Sequence, residues 1–494
     1  MTAIFEFDNQ YARLPSRFYA RTNPAAVSSP SLIRVNEQLA ENLGLEVALL
    51  GSPEAINAFA GNEVPAGAEP LAMAYAGHQF GGWVPQLGDG RALLLGEVID
   101  KNGVRQDIQL KGSGQTPFSR NGDGLSPIGP VLREYAVSEA MAALGVPTTR
   151  SLAAVATGDT VYRERVQPGG VLTRVSRSHI RVGTFQFFAA RKDNDALRAL
   201  ADHVIERHYP EASEQPNRYL ALLSAVIRKQ AELIARWQLL GFIHGVMNTD
   251  NMLICGDTID YGPCAFMDAF DADKVFSSID HGGRYRYRNQ PAIAQWNLTR
   301  FAETLLPILA DDIDTAVPMA QQAVEQFAAD FEQVYRSGAA HKLGLSEAQE
   351  GDVQLFDDLL AWMQEEKADF TLTFRNLSDL AAETDSPSPA TVSAIYQFPD
   401  SIRPWMTRWQ QRVQTETPDP GERQKSMYRH NPAIIPRNHL VEKAIDDATE
   451  HNDYAFFHRL VEVTARPWEY SAEVESFAKP PQPDEIVYQT FCGT

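Results

Sequence analysis

The stretch that decides the fold is GFIHGVMNTDNMLICGDTIDYG, residues 241–262. A long apolar run precedes it, and Gly241 is suited to end a helix there. Two short apolar runs flank a turn at 256–257, and we expect them to form two strands that place Asn251 and Asp260 at neighbouring ends. An amide oxygen beside a carboxylate suits Mg²⁺ or Mn²⁺ bound together with substrate phosphates. The loop between Gly241 and these runs carries His244, Asn248, Asp250 and Asn251.

This layout resembles the catalytic and metal-binding loops of protein kinases, whose pattern is His-Arg-Asp, four residues, Asn, and later Asp-Phe-Gly. His244 and Asn251 keep the kinase spacing, and Asp260-Tyr261-Gly262 stands in the place of Asp-Phe-Gly. The position of the kinase catalytic Asp is Val246, whose side chain can neither orient nor deprotonate a hydroxyl. The sequence therefore indicates an inactive kinase or an enzyme that does not transfer the γ-phosphoryl group. The nearest carboxylate is Asp250.

The composition is typical of a globular protein with a sizeable core. Of 494 residues, 44% are hydrophobic and 22% are charged, and the net charge is −20. This acidity argues against nonspecific binding to nucleic acid or to an anionic membrane. The three cysteines fit a reducing compartment, the amino terminus does not resemble a signal peptide, and no apolar stretch reaches the length of a spanning helix. We expect a cytoplasmic monomer with neither nucleic acid nor a membrane as partner.

A glycine-rich region precedes two predicted strands. In AYAGHQFGGWVPQLGDGRALLLGEVI, the segment Gly88-Asp89-Gly90-Arg91 opens a strand over 92–99. Its small residues would let backbone amides approach a phosphate, and Arg91 adds charge, although a plain turn is the alternative. Polar and apolar residues alternate over 106–111 and predict a second strand that ends at Lys111. The loop that follows, GSGQTPFSRNGDGLSPIGP, is of the kind that wraps a ligand.

A helix is predicted from Pro130 to Leu144, with Gly145 and Pro147 directly after it. In kinases, a strand lysine and a helix glutamate form the ion pair that positions the lysine on the phosphates. We therefore predict that Glu134 pairs with Lys111. Glu139, on another face of the helix, is the weaker candidate.

Residues 151–157, 160–166 and 171–175 are predicted to form three short antiparallel strands, with turns at 158–159 and 168–170. Three arginines follow, and their guanidinium groups can surround a polyphosphate. Ion pairs with the carboxylates of this acidic protein are the alternative. The three are Arg174, Arg177 and Arg181.

The remainder of the chain is largely helical by its apolar spacing. Strands before the 241–262 stretch and helices after it predict an α+β protein with a protein-kinase-like two-lobed fold, a β-rich N-lobe and a helical C-lobe. We assign residues 1–65 to an N-terminal extension, 66–210 to the N-lobe with the nucleotide-binding loops, and 211–494 to the C-lobe with the catalytic and metal loops and the C-terminal tail. Helices are predicted over 191–207, 219–240, 292–309, 313–337, 346–366, 374–384 and 439–462.

Longer motifs extend from about residue 70 to the end of the chain. They are AGHQFGGWVPQLGDGRA, QLKGSGQTPFSRNGDG, REYAVSEAM, TRVSRSHIRVGTFQFF, HGVMNTDNM, IDYGPCAFMD, YRNQPAIAQWNLTRFAETLLP and PRNHLVEKAI. Together they resemble the selenoprotein O family (SelO, the YdiU-like pseudokinases). The family is similar to protein kinases in fold and lacks the catalytic Asp, as this chain does at Val246.

The resemblance implies a protein adenylyltransferase (AMPylase). Such an enzyme binds ATP in a flipped orientation, transfers AMP to Ser, Thr or Tyr hydroxyls of proteins and releases pyrophosphate. By motif, Asn251 and Asp260 would bind Mg²⁺ or Mn²⁺, and Asp250 would be the proton acceptor. The residues implied to contact ATP are Gly88, Gly90, Arg91, Lys111, Asp123, Gly124, Arg174, Arg181 and Asp260.

Cys492, near the end of the chain, falls where eukaryotic members of the family carry selenocysteine. We hypothesise that Cys492 and Cys264 form a reversible disulfide that restricts the segment after Gly262 or the C-terminal tail. Two ordinary thiols are the alternative.

Two other functions are compatible with parts of the pattern. One is a kinase-like phosphotransferase, against which Val246 argues because such enzymes keep an Asp at that position. The other is a non-catalytic nucleotide-binding scaffold, against which the retained Lys111, Asn251 and Asp260 argue.

Overall fold

The computed structural model describes residues 4–382, 391–416 and 419–491. Strands and helices both contribute, and the fold class is α+β, as predicted. The strands are β1 (Tyr19–Arg21), β2 (Ser31–Val35), β3 (Leu71–Met73), β4 (Gly77–Gln79), β5 (Gly82–Val84), β6 (Ala92–Ile99), β7 (Arg105–Lys111), β8 (Ser126–Pro127), β9 (Arg150–Tyr162), β10 (Val166–Ser176), β11 (Phe242–Ile243) and β12 (Ala265–Phe266).

The helices lie mainly in the second half of the chain. They are α1 (Glu37–Asn42), α2 (Pro53–Ala60), α3 (Ile128–Ala143), α4 (Val182–Ala189), α5 (Asn194–His208), α6 (Arg218–Leu240), α7 (Gln290–Leu309), α8 (Ile313–Lys342), α9 (Asp352–Glu366), α10 (Phe370–Asp379), α11 (Arg403–Gln414), α12 (Pro420–His430), α13 (Asn438–His451), α14 (Ala455–Thr464) and α15 (Glu475–Ala478). Within the described ranges, no helix is both long enough and apolar enough to cross a membrane.

The main sheet is antiparallel and contains eight strands. Its order is β1-β3-β6-β7-β10-β9-β2, and β8 pairs with β10. Lys111, at the end of β7, lies opposite Ala92 of β6 and Leu172 of β10. The register therefore places Lys111 at the end of the sheet where β6 begins, next to the glycine segment that precedes β6.

The prediction of three short strands over 151–175 is wrong, because the segment forms only the two long strands β9 and β10. Gly158 lies within β9 with φ +78°, and a Cβ there would lie 2.7 Å from Cβ of Ser29. The register between β9 and β10 shifts between Pro168 and Gly170. Glycine and proline within paired strands are typical of such irregularities, and here they bend a continuous hairpin instead of ending its strands.

Helix α3 begins at Ile128, two residues before the predicted start at Pro130. Pro130 is tolerated because the N–H groups of a first helical turn have no partner within the helix. Val131 and Tyr135 of α3 pack in one buried cluster with residues of β9, β10, α13 and α14. The helix is thus held firmly between the sheet and the carboxy-terminal helices.

Helix α6 agrees with the predicted helix over 219–240, and it ends at Gly241 with φ +69°. The predicted helix over 439–462 is instead two helices, α13 and α14, because Asn452 adopts a left-handed conformation between them. Four further helices differ from prediction in their starts: α5 begins at Asn194, α7 at Gln290, α9 at Asp352 and α10 at Phe370.

The two short strands predicted between Met252 and Asp260 do not pair with each other. Leu253 forms an isolated bridge with Arg181, and Thr258 forms one with Thr148. Each apolar run therefore pairs with a different segment, which a local hairpin pattern cannot reveal. The loop is closed instead by β11 and β12, in which Phe242 lies opposite Phe266.

Candidate functional site

A cavity of about 440 Å³ lies between the end of the sheet and the loop that follows β11. It collects residues that are widely separated in sequence. Six of its lining side chains are Lys or Arg, and four are Asp, so the cavity has an excess of positive charge in a strongly acidic protein. The predicted site residues in its lining are Gly88, Gly90, Arg91, Lys111, Asp123, Gly124, Arg174, Arg181, Asp250, Asn251 and Asp260.

Four charged side chains, Lys111, Glu134, Arg174 and Asp260, form what we call the site cluster. Lys111 Nζ lies 2.6 Å from Glu134 Oε2 and 3.2 Å from Asp260 Oδ1. Arg174 Nη2 donates to Glu134 Oε2 at 2.9 Å and to Asp260 Oδ1 at 3.3 Å. Glu134 is 1% exposed and lies behind the cavity wall, where it can fix the two cations but cannot meet a ligand directly.

The pKa values in the site cluster reflect burial and close opposite charges. Burial alone would raise the pKa of Asp260, yet Lys111 and Arg174 hold this pKa well below its usual range. Burial likewise opposes ionisation of Glu134, but Arg174 and Lys111 keep its pKa lowered. Both carboxylates are therefore ionised near neutral pH. Asp260 also has φ +69°, a strained conformation that aims its carboxylate into the cavity.

Arg181 supports the opposite wall of the cavity. Its Nη1 donates to the backbone oxygen of Asp250 at 2.6 Å, and its guanidinium carbon lies 4.5 Å from the ring centroid of Tyr75. Its Nη2 is 3.6 Å from Asp89 Oδ1. The arginine therefore holds the backbone of the loop after β11 at Asp250 while remaining at the cavity surface.

The Asp250 carboxylate is buried and only half satisfied. Its Oδ2 accepts a hydrogen bond from Gln79 Nε2 at 3.2 Å, and its Oδ1 has no hydrogen-bond partner in the described chain. Burial raises the pKa of Asp250 to about 6. A carboxylate with a raised pKa at the wall of a cavity is suited to accept a proton or orient a hydroxyl.

The other loop residues have distinct positions. Val246 lines the cavity, whereas His244 is buried, donates from Nε2 to the Ile259 oxygen at 2.8 Å and stacks on Trp237. Asn251 donates from Nδ2 to the Val246 oxygen at 3.1 Å, so its amide oxygen stays available. The amide oxygen of Asn248 is already used, since Asn248 Oδ1 accepts a hydrogen bond from Tyr285 Oη at 2.6 Å.

The oxygen atoms of Asn251 and Asp260 fit a hard divalent cation. The described hydrogen bonds engage Asp260 only through Oδ1, which leaves Oδ2 as a ligand. Across the described ranges, no group of three or more His, Cys, Asp or Glu side chains is arranged to hold a metal ion. Oxygen donors of this kind suit a cation such as Mg²⁺ that is bound in part by substrate phosphates.

The glycines of the cavity are explained by packing between two loops. Gly88 has φ +91°, and a Cβ there would collide with the ring of Phe118. A Cβ at Gly90 would lie 2.9 Å from the Phe118 oxygen. Both glycines thus allow the 112–125 loop to fold over the segment before β6, and the closed loop forms one wall of the cavity.

Sequence reasoning missed Arg163 and Arg120, which also line the cavity. Arg163, in the turn between β9 and β10, donates to Asp123 at 2.8 Å and 3.0 Å through its two terminal nitrogens. The Asp123 carboxylate is therefore already paired. No sequence pattern links these two residues, because the contact depends on how a hairpin tip reaches a loop forty positions earlier in the chain.

Two candidates lie outside the cavity lining. Arg177 pairs with Asp257 at 3.2 Å and does not line the cavity. The prediction that it surrounds a polyphosphate is therefore wrong, and the alternative, an ion pair with a carboxylate of this protein, is confirmed. Glu139, the weaker candidate for Lys111, instead accepts from Arg150 Nη2 at 2.6 Å and Nε at 3.0 Å.

Cys264 is fully buried, and burial raises the pKa of its thiol to about 12. Cys492 lies outside the described residues, so its pairing with Cys264 stays a prediction. The neighbouring tail does approach this region, since Thr490 Oγ1 donates to the Pro263 oxygen at 2.7 Å.

Comparison with known proteins agrees with the motifs. The family profile described as "Protein adenylyltransferase SelO" matches residues 2–465. Two relatives named "Protein nucleotidyltransferase YdiU", from Rhodopseudomonas palustris strains BisB18 and BisB5, are 59% and 60% identical over the full length of both chains. A relative of the same name from Rhizobium rhizogenes strain K84 is 57% identical over 99% of this chain and 97% of its own. The chain therefore belongs to the SelO family of protein adenylyltransferases.

Proposed function

We propose that this protein transfers AMP from ATP to Ser, Thr or Tyr hydroxyls of other proteins and releases pyrophosphate. The observation that carries the proposal is that one cavity combines excess positive charge with Asp250, Asn251 and Asp260, while Val246 occupies the place of a kinase base. A kinase-like phosphotransferase would need a carboxylate at Val246, and a scaffold would not need the complete set of charged groups.

The cationic side chains bind and orient the triphosphate of ATP. Lys111 and Arg174 enter the cavity already fixed by Glu134, so little reorganisation is needed when the phosphates arrive. Arg91 and Arg120 add charge at the same cavity. Pyrophosphate carries more negative charge than a transferred phosphoryl group, and this excess of cations stabilises it as it leaves.

Asn251 and Asp260 would hold one divalent cation, Mg²⁺ or Mn²⁺, against the phosphates. When bound, this cation neutralises phosphate charge and polarises the phosphorus–oxygen bonds. The side chains of this chain perform the remaining work: they hold the nucleotide, and the Asp250 carboxylate at the cavity wall receives the acceptor hydroxyl's proton. Gln79 keeps that carboxylate oriented through Oδ2.

We also propose the protein-kinase-like two-lobed fold for this arrangement. Residues 1–65 would be an N-terminal extension, 66–210 the β-rich N-lobe and 211–494 the helical C-lobe, with the cavity between the lobes. Strand lysine, helix glutamate and the Asp260 loop support this assignment by their mutual contacts. We further propose a cytoplasmic monomer that does not bind nucleic acid, in keeping with the net charge of −20.

The decisive experiment is label transfer from ATP carrying the label at either the α or the γ position. Purified protein is incubated with Mg²⁺ or Mn²⁺ and a soluble bacterial extract, and proteins are separated under denaturing conditions. Label retained only from the α position, and lost with Asp260→Ala, is expected for AMP transfer. Label from the γ position alone would contradict the proposal and indicate a kinase, and no label from either position would indicate a scaffold.

A further inference from the structure

The hairpin formed by β4 and β5 contacts each of three consecutive residues of the catalytic loop. The backbone N of His78 donates to Thr249 Oγ1 at 2.7 Å, Gln79 donates to Asp250, and the backbone N of Phe80 donates to Asn248 Oδ1 at 3.0 Å. Phe80 and Gly81 form the hairpin tip with positive φ values of 52° and 84°. The hairpin is therefore fixed directly beside Asp250.

The hairpin also carries two large apolar side chains that are partly open to solvent, and one of them, Phe80, lines the cavity. Phe80 is 37% exposed and Trp83 is 41% exposed, which is uncommon for such large side chains. The ring of Trp83 lies 4.9 Å from the His78 ring, which in turn lies 5.3 Å from the ring of Trp296 on α7. Aromatic rings with this mixture of burial and exposure are enriched where proteins bind one another.

Arg284 adds an unpaired cation to the same surface. Its guanidinium carbon is 4.7 Å from the ring centroid of Trp296, and an added Cβ on Gly81 would lie 3.5 Å from it. Its Nε is buried without a hydrogen-bond partner, and no carboxylate of the described residues lies within ion-pair distance of Arg284.

The arginines nearest to Arg284 in sequence differ from it, because each of them has a carboxylate partner. Arg286 Nη1 and Arg288 Nη2 each lie 2.9 Å from Asp273 Oδ1. Arg300, whose guanidinium carbon lies 5.1 Å from the Trp296 ring centroid, is 2.6 Å from Glu303. In a chain with net charge −20, an arginine whose guanidinium has no carboxylate partner among the described residues is available to a carboxylate from outside.

We propose that Phe80, Trp83, Arg284 and Trp296, here called the acceptor face, bind the protein substrate, and that they select a segment with Asp or Glu close to its acceptor hydroxyl. Tyr285 links the two sites, because its Oη donates to Asn248 Oδ1 while its ring packs 5.2 Å from that of Phe80. An acidic side chain on Arg284 would therefore bring a neighbouring hydroxyl toward Asp250. This inference rests on the proposed function and names the substrate class for it.

The first test measures binding in the absence of ATP, so that it does not depend on catalysis. Dye-labelled peptides share a central Ser, Thr and Tyr segment and carry Glu, Gln or Lys at every flanking position, and fluorescence anisotropy gives each Kd at physiological ionic strength. We expect the Glu peptide to bind at least about tenfold more tightly than the Lys peptide, since a complementary charge at a specific site determines selectivity. Net charge alone predicts the opposite order.

Variants assign the preference to the acceptor face. Arg284→Gln should abolish the preference for Glu, and Arg284→Glu should reverse it in favour of Lys. Arg288→Gln is the matched control, because Arg288 lies in the same segment but is already paired with Asp273, and it should keep the preference. Equal binding of the Glu and Lys peptides to the natural protein, or an unchanged preference in Arg284→Gln, would overturn the inference.

The same peptides are then offered with α-labelled ATP and a divalent cation. Faster labelling of the Glu peptide, lost in Arg284→Gln, is the expected result. Charge-selective binding without any labelling would count against AMP transfer but leave the acceptor face as a binding site. Labelling of all three peptides at equal rates would keep AMP transfer and reject the acceptor face as the origin of substrate selection.

Discussion

The site cluster can be compared with a second buried group of charges, which we call the sheet cluster: Glu97, Asp107, His179 and Arg207. Arg207 Nη2 lies 2.6 Å from Asp107 Oδ1, and His179 Nδ1 lies 3.0 Å from Asp107 Oδ2. Arg207 also pairs with Glu97. The four side chains are at most 3% exposed, and none lines the cavity described above.

In both clusters the charged side chains are largely buried, and the pKa of an aspartate is shifted from its usual value. Burial opposes ionisation of Asp107, but Arg207 and His179 hold its pKa well below the usual range, much as Lys111 and Arg174 do for Asp260. They differ in how their oxygens are used. In the sheet cluster both oxygens of Asp107 accept hydrogen bonds, whereas Asp260 is 26% exposed and only its Oδ1 is engaged.

A perturbed pKa therefore does not by itself identify a functional site in this protein. The distinguishing feature is an unused ligand atom at the surface of a cavity with excess positive charge. The sheet cluster ties β6, β7 and α5 together, and all four of its carboxylate oxygens accept hydrogen bonds. The predictions below test this division between a reactive and a structural cluster.

Asp260→Ala should produce the largest effect. We expect AMP transfer to fall by about 10³-fold or more, because the preorganised carboxylate at the phosphates is lost. Lys111 and Arg174 still pair with Glu134, so the protein should remain folded. Transfer from α-labelled ATP is measured beside thermal unfolding. Substantial activity in a folded Asp260→Ala variant would show that the site cluster is structural.

Arg207→Met should have the opposite phenotype. Removing one partner leaves Asp107 and Glu97 buried without their cation, and we expect the free energy of unfolding to fall by about 3 kcal/mol. The rate of AMP transfer per folded molecule should not change. Denaturant unfolding gives the stability, and activity is normalised to the folded fraction. Loss of activity without loss of stability would contradict a purely structural sheet cluster.

Glu134→Gln should reduce AMP transfer by about 10- to 100-fold, because an amide cannot neutralise Lys111 and Arg174 and they are no longer held in place. Glu139→Gln is the matched control on the same helix, since Glu139 pairs with Arg150 away from the cavity. Its activity should equal that of the natural protein. Equal losses in both variants would indicate general damage to α3 instead of a specific role for Glu134.

Lys342→Met concerns a buried cation outside both clusters and should have the smallest effect on AMP transfer. Lys342 is 3% exposed, its Nζ lies 4.1 Å from the Phe374 ring centroid, and burial lowers its pKa from an ordinary 10.5 to about 7. The unfolded chain thus binds a proton between about pH 7 and 10.5 that the folded chain does not. Stability of the natural protein relative to Lys342→Met should therefore rise with pH in this window, by at most about 1.4 kcal/mol per pH unit.

Chemical denaturation of both proteins at pH 6.5, 8 and 9.5 would measure how their difference in the free energy of unfolding changes with pH. The advantage of Lys342→Met should be greatest below pH 7, where the folded protein must bury a charge, and it should shrink as pH rises. A difference that does not change with pH would mean that Lys342 remains protonated in the fold and that its ring contacts compensate its burial.

Local patterns predicted much of this molecule because the chemistry they encode is short in range. β6 was predicted with its observed bounds from apolar spacing, and the end of α6 from the glycine at 241. The β9–β10 hairpin was mistaken for three strands because glycine and proline are typical of turns as well as bulges. The runs after Asn251 were mistaken for a hairpin because alternation does not specify a strand's partner.

By itself, the sequence determined the α+β class, the family and the residue types at the site, because motif spacing and apolar period are properties of neighbouring residues. The fold alone determined which charges are satisfied. Arg163 forms an ion pair with Asp123 and Arg177 with Asp257, whereas Arg284 forms none with a carboxylate of the described chain. Such outcomes depend on which side chains packing brings within about 4 Å and removes from water, and the energy of a charge is set by that environment.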